Sequence, residues 1–139
     1  MRLPLLALPL LLTSAIGLAQ ATPDVLRLAS SPSSLPTLSA LIDQYQLATG
    51  HKVLLIEGSA AALAQEVQAG VPYDLFFSDD PALAAALHAQ GLGDTPRAYT
   101  CGAEDQALLV RVQGPRRYLA EQFLDYLAAH PAAGCVPAH

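Results

Sequence analysis

Between Val25 and Gln90 the sequence alternates three times between a short apolar run and a longer stretch with helical spacing. The runs are Val25-Leu26-Arg27-Leu28-Ala29, Val53-Leu54-Leu55-Ile56 and Asp74-Leu75-Phe76-Phe77. Runs this short, bounded by Gly, Pro and Ser, suit buried strands. After the first run, Leu35, Leu38, Leu41, Ile42 and Tyr45 recur three or four residues apart, the apolar stripe of an amphipathic helix. Pro36 fits the first turn of that helix, where its missing N–H costs nothing, and Gly50 fits its end. Ala60 to Ala69 and Pro81 to Gln90 repeat the pattern, stopped by Gly70 and Pro72 in one case and by Gly91 and Gly93 in the other. Strands joined by short helical crossovers run parallel, with the helices over the sheet. The pattern predicts an α/β fold of three layers: a mostly parallel open sheet of about four to five strands, with helices on both faces.

The remainder is less regular. Gly93 to Asp105 is polar and irregular, and Ala107 to Val112 reads as a fourth strand. Gln113-Gly114-Pro115 turns into a last helix carrying Leu119, Phe123, Leu124, Tyr126 and Leu127. Pro131 to His139 reads as loop, and no internal repeat is present.

Residues 1–21 stand apart. Met1-Arg2 is a short basic start, Leu3 to Leu18 is apolar, and Ala19-Gln20-Ala21 has the small-x-small pattern of a cleavage site. These are the parts of a secretory signal peptide. A membrane anchor is the alternative, disfavoured by Pro4 and Pro9 within the run. The expectation is a periplasmic protein: a signal peptide over 1–21, then a single domain over 22–139. Without Arg2, 6 basic residues face 12 acidic ones, which opposes nucleic acid and anionic membrane surfaces. For an exported chain, Cys101 and Cys135 are expected to form a disulfide. The loop between them holds 33 residues, for which chain entropy gives about 3–4 kcal/mol. A metal pair with His130 or His139 is the alternative, without a paired-ligand motif to support it.

In open parallel sheets, ligands sit beyond the carboxyl ends of the strands. Here those ends carry hydroxyls: Ser30 to Ser34, Ser59 and Ser78. They lead towards helix N-termini, which offer free N–H groups and partial positive charge. Together they suit a neutral anion site built from hydroxyls and backbone amides. Each of these residues, like Asp79 and Asp80, also fits a simple role as helix cap.

The stretch from Gly58 to Asp80 resembles a central motif of the periplasmic molybdate-binding proteins of ABC importers, within the type II solute-binding family. The matching residues are Gly58-Ser59, Leu63-Ala64, Val67, Gly70, Pro72, Asp74-Leu75-Phe76 and Ser78-Asp79-Asp80. The resemblance covers about residues 24–112 and, more loosely, 115–135. It implies an oxyanion, molybdate or tungstate, held without a cofactor by serine hydroxyls and backbone N–H groups. The first-strand serine of the family falls on Ser33 or Ser34, and the second falls at Ala60, next to Ser59. Ala60 supplies no hydroxyl, and Glu57 adds repulsion towards a dianion. The family's second lobe has no counterpart between residue 112 and the last helix, so the expectation is one lobe. Such a lobe needs a second copy, an importer permease or another periplasmic partner to enclose the ligand. The alternative is a protein-interaction module that has lost ligand capture. An enzyme is not expected: Ser33, His51 and Asp74 supply triad residue types, but no nucleophile-elbow motif accompanies them.

Overall fold

A computed structural model of the chain describes residues 25–101, 106–110, 115–130 and 135–137. The expected signal peptide lies outside the described residues. Strand β1 (Val25–Ser30) leads through a 3-10 turn (Pro32–Ser34) into α1 (Leu35–Thr49); β2 (Lys52–Glu57), α2 (Ala60–Gln68), β3 (Leu75–Ser78) and α3 (Pro81–Ala89) follow. These are the elements that hydrophobic spacing predicts. Strands β4 (Arg97–Cys101) and β5 (Gln106–Leu109), helix α4 (Pro115–Ala129) and strand β6 (Cys135–Pro137) complete the order.

One six-stranded sheet runs β2-β1-β3-β5-β4-β6. The pairs β1–β2 and β1–β3 are parallel, while β3–β5, β5–β4 and β4–β6 are antiparallel. The α/β architecture is the expected one, and its parallel part is the β1-α1-β2-α2-β3 unit. The sheet has six strands because two lie where the sequence reads as irregular chain. Arg-Ala-Tyr-Thr-Cys lacks an apolar run, and Cys-Val-Pro is three residues long. Such strands are stabilised by cross-strand neighbours rather than by local preference.

The two faces of the sheet carry separate cores. Leu26, Leu28, Leu75 and Phe77 face α1 and α4, packing with Leu38, Leu41, Tyr45, Phe123 and Leu127. Ala29 and Phe76 face α2 and α3, packing with Leu63, Val67, Ala84 and Leu87. Successive side chains of a strand alternate in direction, so Phe76 and Phe77 anchor opposite layers, both fully buried. Burying a side chain of that size contributes about 1.5–3 kcal/mol. Helix α1 ends at Gly50, whose φ of 74° lets its N–H turn back to the Gln46 carbonyl at 2.9 Å. In the described residues no helix is long and apolar enough to cross a membrane.

Asp74 lies just before β3 with its side chain 3% exposed. It accepts from the Arg27 backbone N–H at 2.8 Å, from Arg116 Nε at 3.0 Å and from Arg116 Nη2 at 2.5 Å. Arg116 Nη2 also donates to the Val25 carbonyl at 3.0 Å. One ion pair therefore joins β1, β3 and α4. Arg116 is 36% exposed and can regain water if its partner is lost, whereas Asp74 cannot. Removing one member of a buried pair costs about 3–5 kcal/mol, mostly through the charge left behind. Arg116→Ala is therefore expected to lower stability by about 3 kcal/mol in urea unfolding, and Asp74→Asn by less.

Candidate functional site

Three loops meet at the carboxyl edge of the parallel strands, and two serines join them. Ser30 ends β1 and Ser31 follows it, both fully buried. The Ser30 carbonyl accepts from the Gly58 N–H at 3.2 Å, which ties the first loop to the second. The Ser31 N–H donates to the Phe77 carbonyl at 3.0 Å, and Ser31 Oγ accepts from the Asp79 N–H at 3.1 Å, which ties the first loop to the third. The Ser31 hydroxyl donates in turn to the Phe77 carbonyl at 3.4 Å, and that of Ser30 to the Ser31 carbonyl at 3.0 Å. Backbone groups at strand ends have lost their ladder partners, and a buried one left unpaired is costly. These serines supply the missing partners.

The expected site residues divide by environment. Ser33 is exposed on the 3-10 turn, and Ser34 is buried where α1 begins. Ser78 is fully buried; its hydroxyl donates to the Asp80 carbonyl at 2.8 Å and accepts from the Asp80 N–H at 3.0 Å. That hydroxyl is engaged within its own turn and has no proton left for a ligand. Ser59 is exposed and caps α2, accepting from the Ala62 N–H at 3.2 Å. Its own O–H remains available as a donor. Ala60 is the first residue of α2 and buried. The first helical bond runs from Leu63 N–H to the Ser59 carbonyl at 2.9 Å, so the N–H groups of Ala60 and Ala61 have no acceptor within the helix. A Cβ added at Gly58 would lie 3.1 Å from Leu63 side-chain atoms, so glycine allows the chain to turn tightly there. At α3, by contrast, Pro81 has no N–H to offer. Between the starts of α2 and α3, the donors therefore concentrate at Ser59, Ala60 and Ala61.

The surrounding charge is negative. Glu57, Asp79 and Asp80 are exposed on the same edge, and the loops Ser30–Ser34, Glu57–Ala60 and Ser78–Pro81 contain no basic residue. Asp80 turns its carboxylate back to cap α3, accepting from the Ala82 N–H at 2.9 Å. Three concavities lie away from these serines. One of about 390 Å3 lies between the ends of α2 and α3, beside Tyr73. Burial, then the hydrogen bond to Glu66 and the charge of that carboxylate, push the Tyr73 phenol up to about 12. A second, of about 360 Å3, lies between α1 and α4 beside Tyr45 and His130, and a third, of about 480 Å3, beside Asp43 and Lys52. None of these three is lined by Ser30, Ser31, Ser59 or Ser78.

Catalytic chemistry finds no assembly among Ser33, His51 and Asp74. Ser33 follows the carboxyl end of β1, while Asp74 and His51 precede β3 and β2 at the opposite edge. Asp74 is held by Arg116, and His51 stacks on Tyr45 with ring centroids 6.0 Å apart. The residues that sequence matching misses are Ser30 and Ser31. Their signal is positional: Ser30 ends β1 and Ser31 follows it, both buried where the strand gives way to the first loop. Because the cap of α3 is Asp80, Asp80→Ala is expected to cost about 0.5–2 kcal/mol in thermal or urea unfolding. Asp79→Ala should cost less, since what Asp79 gives to Ser31 is its backbone N–H, which the substitution keeps.

The fold has counterparts among solved structures. A periplasmic molybdate-binding protein from Azotobacter vinelandii is 31% identical over 54% of this chain and 32% of its own, with a TM-score of 0.50. A tungstate-binding protein from Desulfovibrio alaskensis is 20% identical over 55% of this chain and 31% of its own, also with a TM-score of 0.50, and shares the fold. The chain thus spans about a third of the length of the solved structures it matches. Residues 26–115 match the sequence pattern of a family described as bacterial extracellular solute-binding protein. That match takes in the three converging loops and more than half of the sequence, and the chain belongs to the bacterial extracellular solute-binding protein family.

Proposed function

We propose that this protein is exported to the periplasm, with residues 1–21 as its signal peptide, and binds a tetrahedral oxyanion of the molybdate and tungstate class for an ABC-type importer. The observation that carries this reading is the clustering of one available hydroxyl and two helix-start amides at Ser59, Ala60 and Ala61, where three loops are stitched together. Such donors suit an oxyanion that stays ionised and needs no proton from the site. The likeness to the Azotobacter vinelandii molybdate-binding protein supports the choice of anion. Ser33 and Ser34 complete the proposed contacts at the first loop. The buried Ser78 hydroxyl acts indirectly, by shaping the third loop.

The donors at the start of α2 meet only one side of an anion. In this reading the other side is completed by a second copy of the chain or by the importer permease. No cofactor or metal takes part, and the protein is not an enzyme. A second reading has its own support: an edge with exposed Glu57, Asp79 and Asp80 and no basic residue in its loops suits a protein partner with a basic surface. In that case the edge is a protein-interaction module without ligand capture.

Titration calorimetry of the exported protein with molybdate, tungstate, sulfate and phosphate separates the two. The oxyanion reading predicts saturable heat with molybdate or tungstate below millimolar concentration. Ser59→Asp keeps a capping acceptor for α2, so stability should hold within a few tenths of a kcal/mol, while the added charge abolishes binding. No heat with any of the four anions at millimolar concentration would overturn the oxyanion reading and favour the second.

A further inference from the structure

Cys101 and Cys135 are separated by 33 residues, yet they are register partners across the antiparallel β4–β6 pair. Facing residues in such a pair have Cα atoms about 4.5–5.5 Å apart and lie on the same face of the sheet. Disulfides span Cα separations of about 4.4–6.8 Å. These two are also the only cysteines of the chain. From this juxtaposition we propose that Cys101 and Cys135 form a cross-strand disulfide that pins β6 to β4.

The strand it pins needs such a constraint. β6 is three residues long, and one of its residues is Pro137, which has no N–H for the ladder. Among the described residues, its register with β4 pairs Tyr99 with Pro137, Thr100 with Val136 and Cys101 with Cys135. A strand this short contributes few ladder hydrogen bonds of its own. The other end of the β4–β6 ribbon is already anchored, because Tyr99 is buried in the core formed with α1 and α4.

The ribbon also has a place relative to the serine loops. Ala98 is level with Gln106, and Gln106 with Ser78. β4 runs in the direction of β3, so Cys101, three residues further on, stands beyond the carboxyl edge by about 10 Å. It is two strands to the side of β3, about 10 Å away laterally. The disulfide would thus hold a two-stranded wall rising beside the serine edge. Its formation does not depend on what that edge binds.

The chemistry requires an oxidant bearing a disulfide. The thiolate of one cysteine attacks it, forming a mixed disulfide and expelling one oxidant thiolate. The second cysteine's thiolate then attacks the protein-bound sulfur, forming the Cys101–Cys135 bond and expelling the other. Two electrons pass to the oxidant, which is reduced to two thiols as the protein loses two hydrogens.

The test uses the purified protein equilibrated with oxidised glutathione, alkylated, digested without reductant and mapped by mass spectrometry. The expected product is one peptide pair joining residues 101 and 135, lighter by two hydrogens than the separate thiols, with alkylation only after reduction. Reduction should lower the Tm by about 10 °C. Cys101→Ser combined with Cys135→Ser should show the same loss and no further response to reductant. Alkylation of both cysteines before reduction, stable glutathione adducts on both, or a disulfide between two chains would each overturn the proposal.

Discussion

A carboxylate buried at the start of the central strand determines much of the arrangement. Asp74 cannot be hydrated where it lies, and an ionised carboxylate there must be paired. Arg116 reaches it from α4 and also holds the carbonyl of Val25. That requirement fixes α4 over the first face of the sheet and joins the last helix to the first strand. Arg117, next in sequence, pairs with Asp94 and Glu121, which adds a more exposed tie between α4 and the chain leading into β4. Exposed pairs of this kind contribute little by themselves.

The two edges of the parallel strands consequently differ in kind. At the amino edge, the charged groups Asp74 and Arg116 are paired and structural. At the carboxyl edge, Ser30, Ser31 and Ser78 are buried and satisfy backbone groups, so the loops are held without charge. Rigid loops matter to an anion site built from amides, because donors that are already oriented lose little freedom when the ligand arrives. The exposed carboxylates work in the opposite direction. Two unit charges about 5 Å apart repel by roughly 3 kcal/mol at an effective dielectric constant of 20, more than one added hydrogen bond typically supplies. The direction of the Glu57 and Asp79 side chains in the bound state therefore decides how strongly this edge holds a dianion.

The parallel half of the fold was legible in the sequence because its signals are local. Leu35, Leu38, Leu41, Ile42 and Tyr45 mark α1 by spacing, and Gly50 marks its end. Ser59 and the Asp79-Asp80 pair could be recognised as helix caps, although only the structure shows that Asp80 takes the role. The antiparallel half was not legible to the same degree. β4 is held by its neighbours β5 and β6 rather than by an apolar run of its own, β6 pairs with residues 34 to 38 positions earlier, and Pro137 argues locally against a strand. The work of Ser31 was hidden for the same reason: its partners, Phe77 and Asp79, lie 46 and 48 residues away. Ser78 looked like a ligand donor by position, but a local turn engages its hydroxyl. The motif marks the edge, while the hydrogen bonds of Ser31, Ser59 and Ser78 separate donors that remain available from those already engaged.

The central claim is that an oxyanion meets this protein at the start of α2. Amide-resolved NMR during titration with tungstate tests it most directly. The account predicts that the Ser59, Ala60 and Ala61 amide resonances shift saturably, while Gly70 and Gly91 at the far ends of α2 and α3 stay in place. Shifts confined to the cleft between α1 and α4, around Tyr126 and His130, or no shifts at any amide, would contradict it.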